Sequence, residues 1–200
     1  PGRTGPAGHF QVPGRDRSGV GPEEADGRTA PHSSVLTESV EDLHLHPDVR
    51  TALQNGDPVV LLETAVVTSG LPRTPWVWPG GDLVVDRARD WRPEEPTNLE
   101  LARNMELSVR AAGAVPATIA IMDGHWKVGL TTEELERLAR DDQAGKASVS
   151  SAAAVLRSGR SAGTTVSGVL IAAGLLQEAG HPTARVMATG GIGGVHHGWS

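Results

Sequence analysis

Two long runs of apolar residues dominate the pattern of this chain. Val59–Val67 (VVLLETAVV) and Val115–Met122 (VPATIAIM) are nearly continuous apolar stretches that contain β-branched residues. Runs of this length and composition are typical of strands that are buried on both faces of a sheet. A third, shorter run, Val186–Ala188, leads into a glycine-rich turn. We expect these three segments to be adjacent strands of one sheet.

Helical spacing of apolar residues fills the segments between these runs. The predicted helices are a short one near His46–Asn55, then Asn98–Ala112, Thr132–Arg140, Ser150–Ser158 and Val166–Glu178. Thr132 is the expected N-cap of the third helix. Asp123-Gly124 predicts a tight turn into a short return strand, Trp126–Leu130. Because strands alternate with helices, the pattern indicates an α/β fold from about Leu53 to Ala188.

Two stretches of the chain lack any such period. Residues 1–34 are rich in Gly, Pro and Arg and bury too little apolar surface to offset the entropy of ordering, so we predict a disordered tail. Residues 75–96 contain three tryptophans, Trp76, Trp78 and Trp91, among prolines and mixed charges. We interpret this stretch as an insertion within a single domain that spans residues 35–200.

Composition narrows the functional classes. The net charge of −6 argues against a general nucleic-acid binder, which carries a basic patch. The chain has no cysteine, and therefore neither a disulfide framework nor a thiolate metal site. No apolar run approaches the roughly 20 residues of a membrane span, and no signal peptide opens the sequence. We expect a cytoplasmic protein with a small-molecule ligand and no membrane or nucleic-acid partner.

The candidate chemistry lies near the ends of the apolar runs. Glu63 interrupts the first run, and an apolar environment favours the neutral form of a carboxyl group, as a general acid requires. The alternative is a glutamate at a strand end that faces solvent or pairs with an arginine. The turn Gly190–Gly194, followed by His196, lets backbone N–H groups approach an anion or a sugar closely, although such a turn is often purely structural.

Two other patterns carry no functional prediction. His44 and His46 alternate on a polar segment, and the adjacent His196 and His197 point apart, so neither pair makes a good metal chelate. The glycine-rich turn lacks the G-x-G-x-x-G spacing of a dinucleotide-binding fingerprint.

Several short motifs in a fixed order resemble one family. They are LLETAVVTSGLP, AGAVPATIAIMDGHWKVGLTTEELERLA, GKAS, AGTTVSGVLIAA and ATGGIGGVHHG. Together they resemble the N-terminal half of the pseudouridine-5'-phosphate glycosidase, or indigoidine synthase A-like, family, over roughly Leu53 to Gly198. The resemblance implies a three-layer α/β/α sandwich, incomplete in this chain. It also implies reversible cleavage of a C–C glycosidic bond to uracil and ribose 5-phosphate, a divalent metal, usually Mn²⁺, and a homotrimer.

The resemblance also implies roles for individual residues. Glu63 matches the proton donor, and Lys146 matches a lysine that binds the phosphosugar nucleotide substrate. Val166 matches a position whose backbone contacts substrate, while Thr189 and His196 belong to the turn that would line the pocket. We expect these residues to converge on one cleft at the strand ends.

The chain also departs from the family pattern. The residues after Lys146 lack the family's arginine pair and aspartate, Ser69 replaces a histidine, and the stretch 75–96 has no counterpart. The family's metal-binding aspartate and imine-forming lysine lie beyond the glycine-rich turn. The resemblance therefore places no metal ligand in this chain and implies a truncated form that is inactive alone. The alternative is a non-catalytic phosphosugar-binding or interaction module.

Overall fold

The computed structural model describes residues 42–75, 92 and 94–192. The predicted tail, most of the predicted insertion, and His196 lie outside these residues. The strands are β1 (Leu43–Leu45), β2 (Val59–Leu62), β3 (Val115–Met122), β4 (His125–Val128), β5 (Gly145–Ala147), β6 (Ala162–Thr164) and β7 (Val186–Ala188). The helices are α1 (Pro47–Asn55), α2 (Thr97–Ala111), α3 (Thr132–Arg140), α4 (Ala152–Ser158) and α5 (Val166–Glu178), with a π-helical turn at Val66–Gly70.

The strands form one mixed sheet. Its main order is β1-β4-β3-β2-β7, while β6 pairs with β3 and β5 pairs with β6. The pairs β2–β3 and β2–β7 are parallel, and Leu62 is in register with both Thr118 and Ala188. The prediction that the three apolar runs are neighbours in one sheet is confirmed.

Helices cover both faces of the sheet. Alternate residues of β3 therefore pack in two different cores. Ile119 and Ile121 pack in a cluster that contains residues of α1, α4 and α5. Ala120 and Met122 pack in a second cluster, with residues of α2 and α3. The predicted α/β/α layering is confirmed. In the described ranges, no helix is both long and apolar enough to cross a membrane.

The first apolar run behaves differently from its prediction. We expected a strand over Val59–Val67 with Glu63 in its middle, but β2 ends at Leu62 and the chain turns into the π-helical turn. The carbonyl of Thr64 starts that turn by accepting hydrogen bonds from the N–H groups of Val67 and Thr68. Val67 is buried in the second core, so the run stays apolar after the strand has ended.

The helix termini also correct the sequence prediction. Thr131, not Thr132, caps α3: its hydroxyl accepts from the N–H of Glu134 at 3.2 Å, and the Glu134 carboxylate accepts from the N–H of Thr131 at 3.0 Å. This capping box follows the spacing T-x-x-E. The predicted helix Ser150–Ser158 begins only at Ala152, because the Ser151 hydroxyl accepts from the N–H of Ser148 and so closes a turn ahead of it.

Short strands account for the remaining differences. The return strand after Asp123-Gly124 is confirmed in kind but runs from His125 to Val128. The strands β1, β5 and β6 have three residues each and were not predicted. The strand β7 is equally short but consists of an apolar run, VMA, whereas β1 (LHL), β5 (GKA) and β6 (AGT) contain no such run.

Candidate active site

Glu63 lies at the edge of the sheet where the parallel strands end. It is the first residue after β2, and only 8% of its surface is exposed. Leu62, the last residue of β2, is in register with Ala188, the last residue of β7. Thr189, which follows Ala188, therefore lies beside Glu63. The carboxyl ends of parallel strands are where α/β proteins bind ligands.

The Glu63 carboxylate accepts two hydrogen bonds from the turn after β7. Its Oε1 is 3.0 Å from the Thr189 hydroxyl and 3.3 Å from the backbone N of Gly190. No group in the described part of the chain donates a hydrogen bond to Oε2. The turn after β7 thus holds one oxygen of the Glu63 carboxylate.

The Thr189 hydroxyl has a second partner within the same turn. It is 3.1 Å from the carbonyl oxygen of Gly191 and accepts from the N–H of Gly191 at 3.3 Å. A hydroxyl carries one proton, so it donates either to Glu63 or to the Gly191 carbonyl at any moment.

Gly190 does not need to be glycine for this contact. A Cβ built at Gly190 would lie 3.9 Å from Glu63 Oε1, an ordinary van der Waals distance. The expectation that glycine permits close approach to an anion or a sugar stays a prediction. Gly193 and Gly194 lie outside the described residues.

Lys146 lies at the centre of β5 and is exposed. It lines a surface cleft of about 320 Å³ together with residues that include Ser151 and Arg160. Glu63 and Thr189 are not among the described residues that line this cleft. The structure thus brings Glu63 and Thr189 into contact, and a cleft that they share with Lys146 stays a prediction.

Val166 is the first residue of α5, and that helix begins beside Lys146. The N–H and the hydroxyl of Thr165 both donate to the carbonyl of Ala147, at 2.9 and 3.1 Å. A Cβ at Gly168 would lie only 2.5 Å from the Ala147 carbonyl oxygen, so glycine is what allows the helix to approach β5 this closely. Val166 and Lys146 therefore belong to neighbouring elements.

A hydrogen bond also connects the Glu63 strand end to these elements. The N–H of Thr64 donates to the carbonyl of Thr164 at 3.2 Å, and Thr164 precedes the α5 N-cap, Thr165. Glu63, Val166 and Thr189 thus lie at the ends of their elements, and Lys146 lies in the middle of β5. Their convergence on one cleft stays a prediction, and the position of His196 lies outside the described ranges.

Comparison with known proteins identifies the family. Residues 93–200 match the family described as Indigoidine synthase A like protein. The chain belongs to the indigoidine synthase A-like family. The resemblance recognised in the sequence motifs is confirmed.

Curated relatives of this indigoidine synthase A-like chain share a name. Pseudouridine-5'-phosphate glycosidase of Dinoroseobacter shibae is 42% identical over 154 residues, which cover 77% of this chain and 41% of that protein. The protein of the same name from Sorangium cellulosum is 45% identical over 162 residues, covering 80% and 42%. The chain therefore spans about two fifths of the length of these relatives.

A solved structure agrees with the fold. The prealnumycin C-glycosynthase AlnA, crystallised in complex with ribulose 5-phosphate, superposes with a TM-score of 0.52 at 33% identity. The match covers 77% of this chain and 40% of that one. This similarity supports the α/β architecture described above.

The site of the indigoidine synthase A-like chain contains residues that sequence analysis missed. Thr64 and Thr164 are fully buried and both donate to the carbonyl of Ile119. The available signal was the hydroxyl that follows or ends each apolar stretch, in LLET and in AGT. The sequence does not show that both hydroxyls meet at one carbonyl.

Other ionisable groups of this indigoidine synthase A-like chain have shifted pKa values. Burial raises the pKa of Glu106 above its ordinary value, opposed by the hydrogen bond from Thr118 and by the charge of Arg110. His44 stacks on His125 with ring centroids 4.0 Å apart. Burial, and then the nearby His125, lower the pKa of His44. Both groups have partners of their own and no contact with Glu63.

Proposed function

We propose that the protein is a pseudouridine-5'-phosphate glycosidase, which cleaves the C–C glycosidic bond of its substrate to uracil and ribose 5-phosphate. The single observation that supports this best is the buried Glu63 at the end of β2, held through Oε1 by Thr189 and Gly190. The shared name of the curated relatives supports the substrate.

The chemistry requires an acid of this kind. A C–C glycoside has no leaving oxygen to protonate, so the two-carboxylate route of ordinary glycosidases does not apply. Opening the ribose ring instead needs a proton at the ring oxygen, and the opened sugar can form an imine with a lysine, which acts as an electron sink. We assign the proton to Glu63, whose Oε2 accepts no hydrogen bond from the described residues.

The remaining site residues would bind the substrate. Lys146 offers an ammonium group that suits a sugar phosphate, and the first turn of α5 at Val166 offers backbone N–H groups. Thr189 and His196 would complete the pocket around the Glu63 carboxyl. The phosphosugar named in the AlnA complex is of the same chemical class as ribose 5-phosphate.

The metal and the assembly belong to the same proposal. The family resemblance implies Mn²⁺ and a homotrimer, and the sequence composition favours a cytoplasmic location. Among the described residues, no group of three or more histidine, aspartate and glutamate side chains is placed to hold an ion. We therefore derive no step through the metal, and this part of the chain contributes the acid and the binding groups.

Release of uracil tests the function. The protein, expressed from its complete gene, is incubated with pseudouridine 5'-phosphate and Mn²⁺, and free uracil is measured by chromatography. Glu63→Gln should lower kcat by roughly 10²–10⁴-fold, as loss of a general acid typically does. Glu106→Gln is the matched control, because Glu106 is also a largely buried glutamate that accepts a threonine hydrogen bond, and it should leave kcat unchanged.

Two results would contradict the proposal. Full activity of Glu63→Gln would remove Glu63 from the mechanism. Tight binding of pseudouridine 5'-phosphate without uracil release would favour the alternative, a non-catalytic phosphosugar-binding module.

A further inference from the structure

The inference concerns the point where β3 changes its neighbour. On one edge, β3 pairs with β2 through residues Val115–Thr118 and then with β6 through Ala120 and Ile121. Ile119 is the one residue between these two ranges. A buried backbone carbonyl at such a break needs a hydrogen-bond donor from elsewhere.

Two threonine hydroxyls supply that donor. Thr64 Oγ1 is 2.5 Å and Thr164 Oγ1 is 2.7 Å from the carbonyl oxygen of Ile119. The two hydroxyl oxygens are 3.4 Å apart, and both residues have no exposed surface. The split in the sheet is thus closed by a pair of side chains.

The hydroxyl of Thr64 accepts one backbone hydrogen bond in addition to the one that it donates. This hydroxyl donates to Ile119 and accepts from the N–H of Thr164 at 2.9 Å, while the N–H of Thr64 donates to the Thr164 carbonyl at 3.2 Å. Three hydrogen bonds therefore fix the residue directly after Glu63. They direct the backbone away from β2 at the point where the Glu63 carboxyl contacts the turn after β7.

We propose that Thr64 and Thr164 are positioning residues that hold the Glu63 carboxyl against Thr189 and Gly190. They act through Glu63 and do not contact the reacting atoms. The inference rests on the proposed function only in taking Glu63 as the reactive group, since the hydrogen-bond geometry stands by itself.

The amide of Gly190 provides a direct readout of this positioning. Because its N–H donates to Glu63 Oε1, its ¹H–¹⁵N chemical shift should move with pH as Glu63 loses its proton. The titration is recorded by NMR on the full chain. Glu63→Gln should abolish the pH dependence of the Gly190 chemical shift and so assign that dependence to Glu63.

Four threonine variants then test the positioning. Thr64→Val, which removes the hydroxyl, should lose the Gly190 titration, and Thr64→Ser, which keeps it, should restore it. Thr164→Val removes one donor to Ile119 and should weaken the titration. Thr97→Val is the matched control: Thr97 is 7% exposed and its hydroxyl donates to the Thr74 carbonyl, so its loss should leave Gly190 unaffected.

Each outcome supports or contradicts the positioning role of Thr64 and Thr164. The proposal is overturned if the wild-type Gly190 amide does not titrate with Glu63, if Thr64→Val titrates like wild type, or if Thr64→Ser also loses the titration. It is overturned as well if Thr97→Val loses the titration, because the effect would then reflect general destabilisation. If Thr64→Val does not fold, Thr164→Val decides, and an unchanged titration there contradicts the proposal.

The test is independent of catalysis. If Glu63→Gln leaves uracil release intact while the Gly190 shifts behave as expected, the proposed function fails and the positioning stands. If uracil release depends on Glu63 but the Gly190 titration is unchanged in Thr64→Val, only the positioning role of Thr64 is contradicted.

Discussion

Glu63 and Thr189 are separated by 126 positions in the chain, yet their side-chain oxygens are 3.0 Å apart. The parallel pairing of β2 and β7 produces this contact, because it places the residues that follow Leu62 and Ala188 side by side. At the residue scale, the site therefore depends on close approaches of backbone at the ends of strands.

Substitution by alanine should change the free energy of unfolding strongly at one glycine near Glu63 and only slightly at another. A Cβ at Gly163 would lie 2.4 Å from the Thr64 carbonyl oxygen, so Gly163→Ala must displace the backbone beside Glu63. We expect it to lower the free energy of unfolding by about 1–3 kcal/mol, as overpacking typically does. Gly190→Ala meets only an ordinary contact, and its effect should stay within about 0.5 kcal/mol.

Urea denaturation of both glycine variants checks this pair. Equal stability of Gly163→Ala and wild type would show that β6 and residue 64 are not in close contact. A large loss in Gly190→Ala would show that the turn after β7 is more tightly packed than described.

At the scale of elements, the starts of the helices are determined by local hydrogen bonds. The helix α3 begins with a reciprocal capping box between Thr131 and Glu134. The helix α5 begins with Thr165, whose hydroxyl accepts from the N–H of Gly168 at 3.4 Å. Both caps connect a helix to the end of the strand or turn before it.

The adjacent threonines at the start of α3 offer a matched comparison. Thr131→Ala removes the cap and should lower the free energy of unfolding by about 0.5–2 kcal/mol. Thr132→Ala lies one residue inside the helix, where alanine is a good helix former, and should have little or no cost. Chemical denaturation of both variants decides between the two positions; equal losses would contradict the assignment of Thr131 as the cap.

At the scale of the whole molecule, described residues on the two sides of the stretch 76–91 are joined by hydrogen bonds. The N–H and the hydroxyl of Thr97 both donate to the Thr74 carbonyl, at 3.0 and 2.9 Å. The N–H of Arg92 donates to the fully buried carboxylate of Glu100 at 2.8 Å. These hydrogen bonds close the part of the domain that flanks the stretch 76–91.

This closure predicts that the domain tolerates removal of the segment. Replacing residues 76–91 by a short Gly-Ser linker should change the free energy of unfolding by less than about 1 kcal/mol, because loop-closure entropy varies slowly with length. Thermal and urea unfolding of the shortened chain measure this. A loss of several kcal/mol, or loss of the cooperative transition, would show that the segment belongs to the core.

The sequence by itself determined the parts of the fold that depend on long local patterns. The run Val115–Met122 and the helix Val166–Glu178 were predicted with the bounds observed, because eight or more residues display a clear apolar pattern. The family was also evident from ordered motifs. Glu63 was identified as a candidate acid because it is a single charge in an apolar run. Each apolar pattern lies within one segment and can be recognised without knowledge of the segments packed against it. The family signal needs only the order of the motifs along the chain.

The tertiary structure alone decided where β2 ends and what holds Glu63. An apolar run does not show whether its residues are buried in a strand or in a following turn, so the end of β2 at Leu62 was not predictable. The three-residue strands β1, β5 and β6 exist because neighbouring strands pair with them. The contacts of Glu63 with Thr189, and of Thr64 with Thr164, join residues a hundred or more positions apart, and only the packed sheet brings their hydrogen-bonding groups within reach.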